Sequence, residues 1–153
     1  MKYREIKHIA FVIVLLMISS CTNSSSVMGV LQPFMDKNNI TNGAILVVPN
    51  AGCSGCISST EDFIIKNQHR FGDLYVVFTN IQSLKILNAR IGEAILSHKN
   101  VKLDEDNNYY KEELLSIYPH IIYVKDSNFI DIVEVSPENT EALSNLQIEL
   151  ESK

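Results

Sequence analysis

The 153-residue chain contains no tryptophan, only three cysteines and four prolines, and fewer basic than acidic side chains. Its 13 Lys and Arg residues against 18 Asp and Glu residues give a formal charge of −5 at pH 7, which argues against nucleic acid as a partner. With 8% aromatic residues, the chain also has little with which to stack single-stranded bases. It has no internal repeat and no glycine-rich phosphate loop. These absences exclude the nucleic-acid-binding classes and leave a small acidic domain.

Long hydrophobic runs are also missing. The longest, 9–18, is too short to span a bilayer comfortably, since a spanning helix needs roughly 20 apolar residues. Three basic residues precede this run, and Ser19-Ser20-Cys21 follows it. This is the layout of an export signal, so residues 1–20 are set aside from the fold.

The segment Ile18-Ser19-Ser20-Cys21 resembles the bacterial lipobox, in which the cysteine is acylated and the signal is cut before it. The resemblance implies that Cys21 is the lipidated first residue of a protein of the bacterial cell envelope. Thr22 follows in place of a retention aspartate, which favours the periplasmic face of the outer membrane. An ordinary cleaved signal or a short anchor helix is the alternative. We predict a signal peptide over 1–20, a lipid-anchored tether and N-terminal extension over 21–42, and one domain over 43–153.

Lipidation accounts for one cysteine and leaves a pair, Cys53 and Cys56, spaced as Cys-x-x-Cys after an apolar run. A thiol at the first turn of a helix faces unpaired backbone N–H groups and the positive end of the helix dipole, and both favour the thiolate. A second thiol one turn later can close a disulfide with the first and so end a mixed-disulfide intermediate. We therefore predict Cys53 as the nucleophile and Cys56 as the resolving thiol.

A lone Cys-x-x-Cys pair can also be half of a zinc site or a structural disulfide. Zinc would need two further ligands, and beyond the signal the chain offers only three histidines, His69, His98 and His120. A disulfide that closes so short a loop gains little in chain entropy, which makes a purely structural role a weak explanation. We predict no metal and no cofactor, and we favour redox chemistry.

Two further polar features have alternative interpretations. His120 either lies near the cysteines, where a protonated imidazole would favour the thiolate, or is an exposed histidine at the start of a strand. The acidic cluster 104–106 is interpreted as a solvated loop, since nothing pairs it with ligands at metal-binding spacing.

The apolar pattern predicts the element order β-α-β-α-β-β-α, with an insertion over 98–117. The predicted elements are buried strands over 44–48 and 74–78, helices over 54–67 and 81–97, a short strand over 101–103, a hairpin of 121–124 with 129–135, and a last helix capped by Ser136 and ending near Leu150. Leu84, Leu87, Ile91 and Ile95 are assigned to the core, and Ile130 and Ile132 are expected to point inward. An α/β start followed by a hairpin and a closing helix predicts a mixed sheet with helices on both sides.

With these elements in place, the chain resembles the thioredoxin superfamily, and in particular its membrane-tethered periplasmic thiol-disulfide oxidoreductases. The resemblance rests on the strand leading into Cys53-Ser54-Gly55-Cys56, on Pro119 opening the third strand, and on the hairpin with its terminal helix. It implies an α/β, thioredoxin-like fold with an insertion before the proline strand. It also implies that Pro119 is cis and packs against the disulfide, and that Tyr118 and Pro119 shape the substrate-binding groove.

The chain departs from this family at Gly52, where tryptophan is usual, and at Val47, where thioredoxins proper keep a buried acid. The favoured function is a lipid-anchored periplasmic oxidoreductase that exchanges disulfides with substrate proteins and with a membrane electron donor or acceptor. The alternative is a thioredoxin-fold binding lipoprotein whose cysteine pair is not catalytic. Gly52 and Val47 favour the alternative, while the intact Cys-x-x-Cys and Pro119 favour the enzyme.

Overall fold

The computed structural model describes residues 24–109 and 116–152, which form alternating helices and strands. In chain order these are α1 (Ser24–Asn38), β1 (Gly43–Pro49), α2 (Ser54–Lys66), a 3-10 turn (Gln68–Arg70), β2 (Leu74–Thr79), α3 (Leu84–Ile91), α4 (Glu93–Leu96), β3 (Val101–Leu103), β4 (His120–Lys125), β5 (Asn128–Glu134) and α5 (Ala142–Glu151).

One five-stranded mixed sheet, in the order β3-β2-β1-β4-β5, organises the fold. The central strand β1 pairs in parallel with β2 and antiparallel with β4, and every residue of β1 and β2 is buried. β3 extends the parallel side and β5 the antiparallel side. Continuously apolar, β-branched strands suit a sheet that is covered on both faces. The predicted fold class, α/β and thioredoxin-like with an inserted short strand, is confirmed.

Alternate side chains of β1 point to two separate apolar clusters. Leu46 and Val48 face the cluster that α2, α3, α4 and α5 cover, and Ile45 and Val47 face the cluster under α1. The helical residues buried in the first cluster are Ile57, Phe63, Ile64, Leu87, Ile91, Ile95, Ala142, Leu146 and Leu150. The sheet therefore carries a hydrophobic core on each face.

Helix α1 was not expected from the sequence. It places Leu31, Phe34 and Met35 against the sheet with almost no exposure, although it contains Pro33, a residue that removes one backbone N–H and disfavours helix interiors. Part of the segment predicted as tether and extension is thus packed against the domain. The predicted signal and Cys21 lie outside the described residues.

The helix predicted over 81–97 is divided in two at Gly92. This residue has a φ of 89°, in the left-handed region that glycine tolerates, and its N–H closes α3 by donating to the Asn88 carbonyl. Leu87, Ile91 and Ile95 are buried as predicted, but Leu84 at the start of α3 is 41% exposed and was wrongly assigned to the core.

The predicted hairpin is confirmed, with Asp126 and Ser127 both at positive φ in a two-residue turn that matches the twist of the strands. Ile130 was expected to point inward but is 57% exposed, next to the register shift at Tyr123/Val124. In paired β4 and β5, such a shift moves a side chain away from the core.

The last helix does not begin at Ser136. The carbonyl of Ser136 accepts a hydrogen bond from the Asn139 N–H at 3.0 Å, and the Asn139 side chain donates to the Glu134 carbonyl at 3.1 Å. These bonds hold 136–139 as a turn, so α5 begins only at Ala142.

Asp104 is buried rather than solvated, which corrects the interpretation of the acidic cluster. Its carboxylate accepts hydrogen bonds from the Thr79 hydroxyl at 2.8 Å and from the backbone N–H groups of Asn108 at 2.9 Å and Tyr109 at 2.8 Å. Burial, with the Asp104 carboxylate as a second cause, raises the pKa of Tyr109 to about 12. Asp104 therefore fastens the loop after β3 to the end of β2.

None of the helices in the described part of the chain is both long and apolar enough to cross a membrane.

Candidate active site

A disulfide joins Cys53 and Cys56 where α2 begins, with their Cα atoms 5.4 Å apart. Cys53 is the N-cap residue, and its Sγ accepts a hydrogen bond from the Cys56 N–H at 3.4 Å. The sulfur thus occupies the place that a Ser or Asp oxygen takes at other helix starts. Both cysteines are half-buried. The helix start predicted for this pair is confirmed.

The loop before β4 closes tightly over the residue that precedes the pair. The Cys53 N–H donates to the Ile117 carbonyl at 2.8 Å. Gly52 has a φ of 156°, and a Cβ atom there would overlap the Ile117 carbonyl oxygen and lie 2.9 Å from the Ile117 Cα. Only glycine allows the two backbones to approach this closely. The glycine at position 52 therefore has a structural cause.

Tyr118 and Pro119 follow Ile117 in this same loop, and the peptide bond between them is trans. No cis peptide bond occurs among residues 24–109 and 116–152, so the expectation of a cis Pro119 is wrong. Trans is the lower-energy isomer of an X–Pro bond by about 0.5–1 kcal/mol, and here the Ile117 carbonyl reaches Cys53 with that isomer. Pro119 is buried, and its carbonyl accepts the Val135 N–H at 2.8 Å.

An open groove of about 410 Å³ runs from the disulfide toward α5. It is lined by Cys53, Gly55, Cys56, Ser59, Val135, Ser136, Pro137, Asn139, Thr140 and Leu143, none of which is charged. On the loop, Ile117 is 53% exposed. The accessible surface around the sulfur atoms is therefore apolar with neutral hydroxyl and amide groups.

The groove wall was missed from the sequence; it is formed by Val135, Ser136, Pro137, Asn139, Thr140 and Leu143. Neither Tyr118 nor Pro119 is among the residues that line this groove, so their role in substrate binding stays a prediction. The stretch Val135-Ser136-Pro137 is compatible with a turn at the end of β5, but a serine before a proline also matches a helix cap. Only the turn described above shows that it forms a wall.

On the other side of the pair, three amide side chains fix the turn between β1 and Cys53. The Asn80 side chain donates to the Ala51 carbonyl at 3.4 Å, and the Gln82 side chain donates to Asn80 Oδ1 at 2.8 Å. The Asn50 Oδ1 accepts the Gln82 N–H at 3.2 Å. The turn that carries the cysteines is thus bonded to this amide cluster on one side and, on the other, to residues 116–119 before β4, here called the Ile117 loop.

His120 is buried on β4, so the interpretation as an exposed histidine is wrong. It is paired across the sheet with Val47 on one side and Glu134 on the other. Its Nε2 lies 3.7 Å from Glu134 Oε2. Burial lowers the pKa of His120, and the nearby Glu134 carboxylate offsets only part of that effect. The described contacts do not bring its ring to either sulfur.

The described residues contain no group of three or more His, Cys, Asp or Glu side chains that could hold a metal ion. His69 is exposed on the 3-10 turn, His98 packs against the Phe71 ring, and His120 faces Glu134. The three histidines therefore occupy separate places in the fold.

Comparison of the sequence with protein-family models and with curated proteins found no match, and comparison of the fold with solved structures found none. A mixed α/β sheet with a Cys53–Cys56 disulfide at the start of a helix is compatible with a thioredoxin-like fold.

The close approach at Gly52 generates a stability prediction. Gly52→Ala places a methyl group against the Ile117 backbone and should lower the free energy of unfolding by about 1–3 kcal/mol, the usual cost of a strained backbone position. Gly55→Ala is the matched control, because no atom lies within 4 Å of the position that its methyl group would take and it sits in a helix. Urea unfolding of the oxidised proteins measures both. Equal stability of the two variants would contradict the account of Gly52.

The buried histidine generates a pH prediction. Because the folded-state pKa of His120 lies below its ordinary value of 6.5, the unfolded chain takes up this proton first as the pH falls. The stability associated with a neutral His120 is therefore complete above pH 6.5 and is lost as the pH falls through the folded-state pKa. We expect His120→Phe to flatten the dependence of unfolding free energy on pH below 6.5.

His69→Gln serves as the control for this measurement, because His69 is exposed. It should leave the pH dependence of the wild-type protein in place. A His120→Phe protein with the wild-type slope would show that another group carries the dependence.

Proposed function

We propose that the protein is a thiol-disulfide oxidoreductase that exchanges disulfides with substrate proteins through Cys53 and Cys56. The observation that carries this proposal is the Cys53–Cys56 disulfide at the start of α2, open to an uncharged groove. A stabilising role explains neither feature, since so short a loop gains little from cross-linking.

In the reduced protein, the Cys53 thiolate attacks one sulfur of a substrate disulfide. A Cys53–substrate bond forms, the substrate S–S bond breaks, and one substrate thiolate leaves. The Cys56 thiolate then attacks Cys53 Sγ, the protein disulfide re-forms, and the second substrate thiolate leaves. The substrate has gained two electrons and the protein has lost them. The steps run in reverse when the partner's thiol couple has a lower reduction potential than the Cys53–Cys56 couple. The protein disulfide is then reduced and the partner's thiols are oxidised.

The local structure supports Cys53 as the attacking residue. At the N-cap it lies at the positive end of α2, which stabilises a thiolate, and Cys56 is one turn further into the helix. The groove next to both residues offers Val135, Pro137 and Leu143 for apolar side chains around a substrate cysteine. Since no charged residue lines it, we propose that substrates present neutral, apolar surroundings to the sulfur.

The binding-module alternative is favoured by one observation. Val47 stands where thioredoxins proper carry a buried acid, and it is buried in the apolar cluster under α1. No carboxylate at this position can therefore help to deprotonate the second thiol. Gly52 no longer favours the alternative, because the Ile117 loop requires glycine there. The redox activity of the pair decides between the two functions.

We propose further that Cys21 is acylated and that the protein is held at the periplasmic face of the bacterial outer membrane, where it exchanges electrons with a membrane partner. Helix α1 begins at Ser24, shortly after this cysteine, and packs on the sheet through Leu31, Phe34 and Met35. A lipid on Cys21 would therefore keep the domain near the membrane surface.

Cys56→Ser tests the two-cysteine mechanism. It leaves Cys53 able to attack but removes the thiol that releases the substrate, so mixed disulfides should accumulate. Non-reducing gels and mass spectrometry of cell extracts would detect them and identify the substrates. The Cys53→Ser,Cys56→Ser protein is the control and should trap nothing. If Cys56→Ser also traps nothing and the wild-type protein reduces no disulfide, the binding module becomes the better function.

Cys21→Ala tests the anchor. Acylation should be lost, and the protein should either remain uncut or leave the membrane, because stable anchoring requires more than one acyl chain and a modified cysteine supplies them. Radiolabelled palmitate incorporation and membrane fractionation measure this. A Cys21→Ala protein that matures to the wild-type mass and still partitions with membranes would refute the anchor.

A further inference from the structure

Glu134, the last residue of β5, contacts both sides of the candidate active site. Its side chain reaches the loop before β4, and its backbone carbonyl accepts a hydrogen bond from the Asn139 side chain at 3.1 Å. Asn139 lines the groove beside the disulfide. One residue therefore joins the loop that approaches Cys53 to the turn that forms the groove wall.

The contact with the loop is a short chain of hydrogen bonds. The Ser116 hydroxyl donates to Glu134 Oε2 at 3.0 Å and accepts the Tyr118 N–H, also at 3.0 Å. Between these residues lies Ile117, whose carbonyl accepts the Cys53 N–H at 2.8 Å. The carboxylate is thus connected to the backbone of the nucleophile through one side chain and one loop.

We infer that Glu134 is a positioning residue that, through Ser116, holds the Ile117 loop against Cys53 and so sets the protein-substrate surface around the disulfide. This inference rests on the proposed function and adds a residue to it. Glu134 does not touch the sulfur atoms in the described contacts, and its effect passes through the loop.

The hydroxyl of Ser116 needs this carboxylate. Because its oxygen already accepts the Tyr118 N–H, the geometry of the loop directs its proton to Glu134 Oε2. Among the described residues, the loop is otherwise fastened by two backbone hydrogen bonds, from the Cys53 N–H to the Ile117 carbonyl and from the Val135 N–H to the Pro119 carbonyl.

The neighbouring histidine does not replace this contact. His120 Nε2 lies 3.7 Å from Glu134 Oε2, beyond hydrogen-bond distance, and burial lowers the pKa of the imidazole. Burial thus disfavours the charged imidazole, which limits its attraction for the carboxylate that Ser116 contacts.

Four substitutions separate the position of the loop from the chemistry of the cysteines. Glu134→Ala and Ser116→Ala break the chain of hydrogen bonds, whereas Glu134→Gln retains an acceptor and Ser116→Thr retains the hydroxyl. Glu138→Ala is the matched control, because it removes an exposed carboxylate from the adjacent turn.

The reduced full-length proteins are mixed with two disulfides in a stopped-flow experiment. One is a peptide disulfide whose cysteine is flanked by leucines, which needs the surface around the sulfur. The other is dithiodipyridine, a small neutral disulfide that needs only an accessible thiolate. We expect Glu134→Ala and Ser116→Ala to slow the peptide reaction about tenfold, the effect of losing about one hydrogen bond, and to change the dithiodipyridine reaction by less than about twofold.

Amide hydrogen exchange of the oxidised proteins supplies a measurement that does not depend on activity. Exchange of the Cys53 amide should be faster in Glu134→Ala and Ser116→Ala than in wild-type protein, while the amides of β1 should exchange as before. Glu134→Gln, Ser116→Thr and Glu138→Ala should resemble wild type in both experiments.

Equal losses with both disulfides, or a wild-type peptide rate in Glu134→Ala, would overturn the inference while leaving the oxidoreductase in place. A wild-type protein that reacts with neither disulfide would refute the proposed function instead. In that case the Cys53 amide still decides whether Glu134 positions the loop, and unchanged exchange in Glu134→Ala would refute that as well.

Discussion

The hydrogen bond from the Cys53 N–H to the Ile117 carbonyl is the contact on which the candidate active site depends. It joins the first half of the fold, in which β1 leads into α2, to the second half, in which the Ile117 loop leads into β4. Gly52 is required because the two backbones meet there without room for a side chain. The disulfide, the loop and the groove are therefore parts of one arrangement. A substitution that moves one of them is expected to shift the positions of the other two.

The sheet sets this arrangement in place. Because β1 and β2 are parallel and fully buried, their carboxyl ends meet at one edge, where the turn carrying Cys53 is supported by the amide side chains of Asn50 and Asn80. Because β4 is antiparallel to both β1 and β5, β5 runs in the same direction as β1, and Glu134 at its end reaches this same edge with the groove wall that follows. A mixed sheet thus places elements from distant parts of the chain around one pair of sulfur atoms.

Much of the framework was predictable because it depends on local patterns. The continuously apolar strands, the Cys-x-x-Cys at a helix start and the hairpin turn each follow from neighbouring residues, and the structure contains all of them. Errors occurred where a local signal fitted two structures, or where contacts between distant residues overrode it. Ser136 resembles a helix cap, yet the hydrogen bonds of Asn139 hold it in a turn. Helix α1 forms despite Pro33 because three of its apolar side chains are buried against the sheet.

By itself, the sequence determined the chemistry that is present: one pair of thiols at redox spacing, no second set of metal-ligating cysteines, and an acidic chain with one α/β domain. These depend on residue type and short spacing alone. Only the tertiary structure decided what surrounds the thiols. The burial of His120, the uncharged groove and the link from Glu134 to Ser116 each depend on residues that the sheet brings together. Pairing of this kind depends on strand order and register, which a local pattern does not encode.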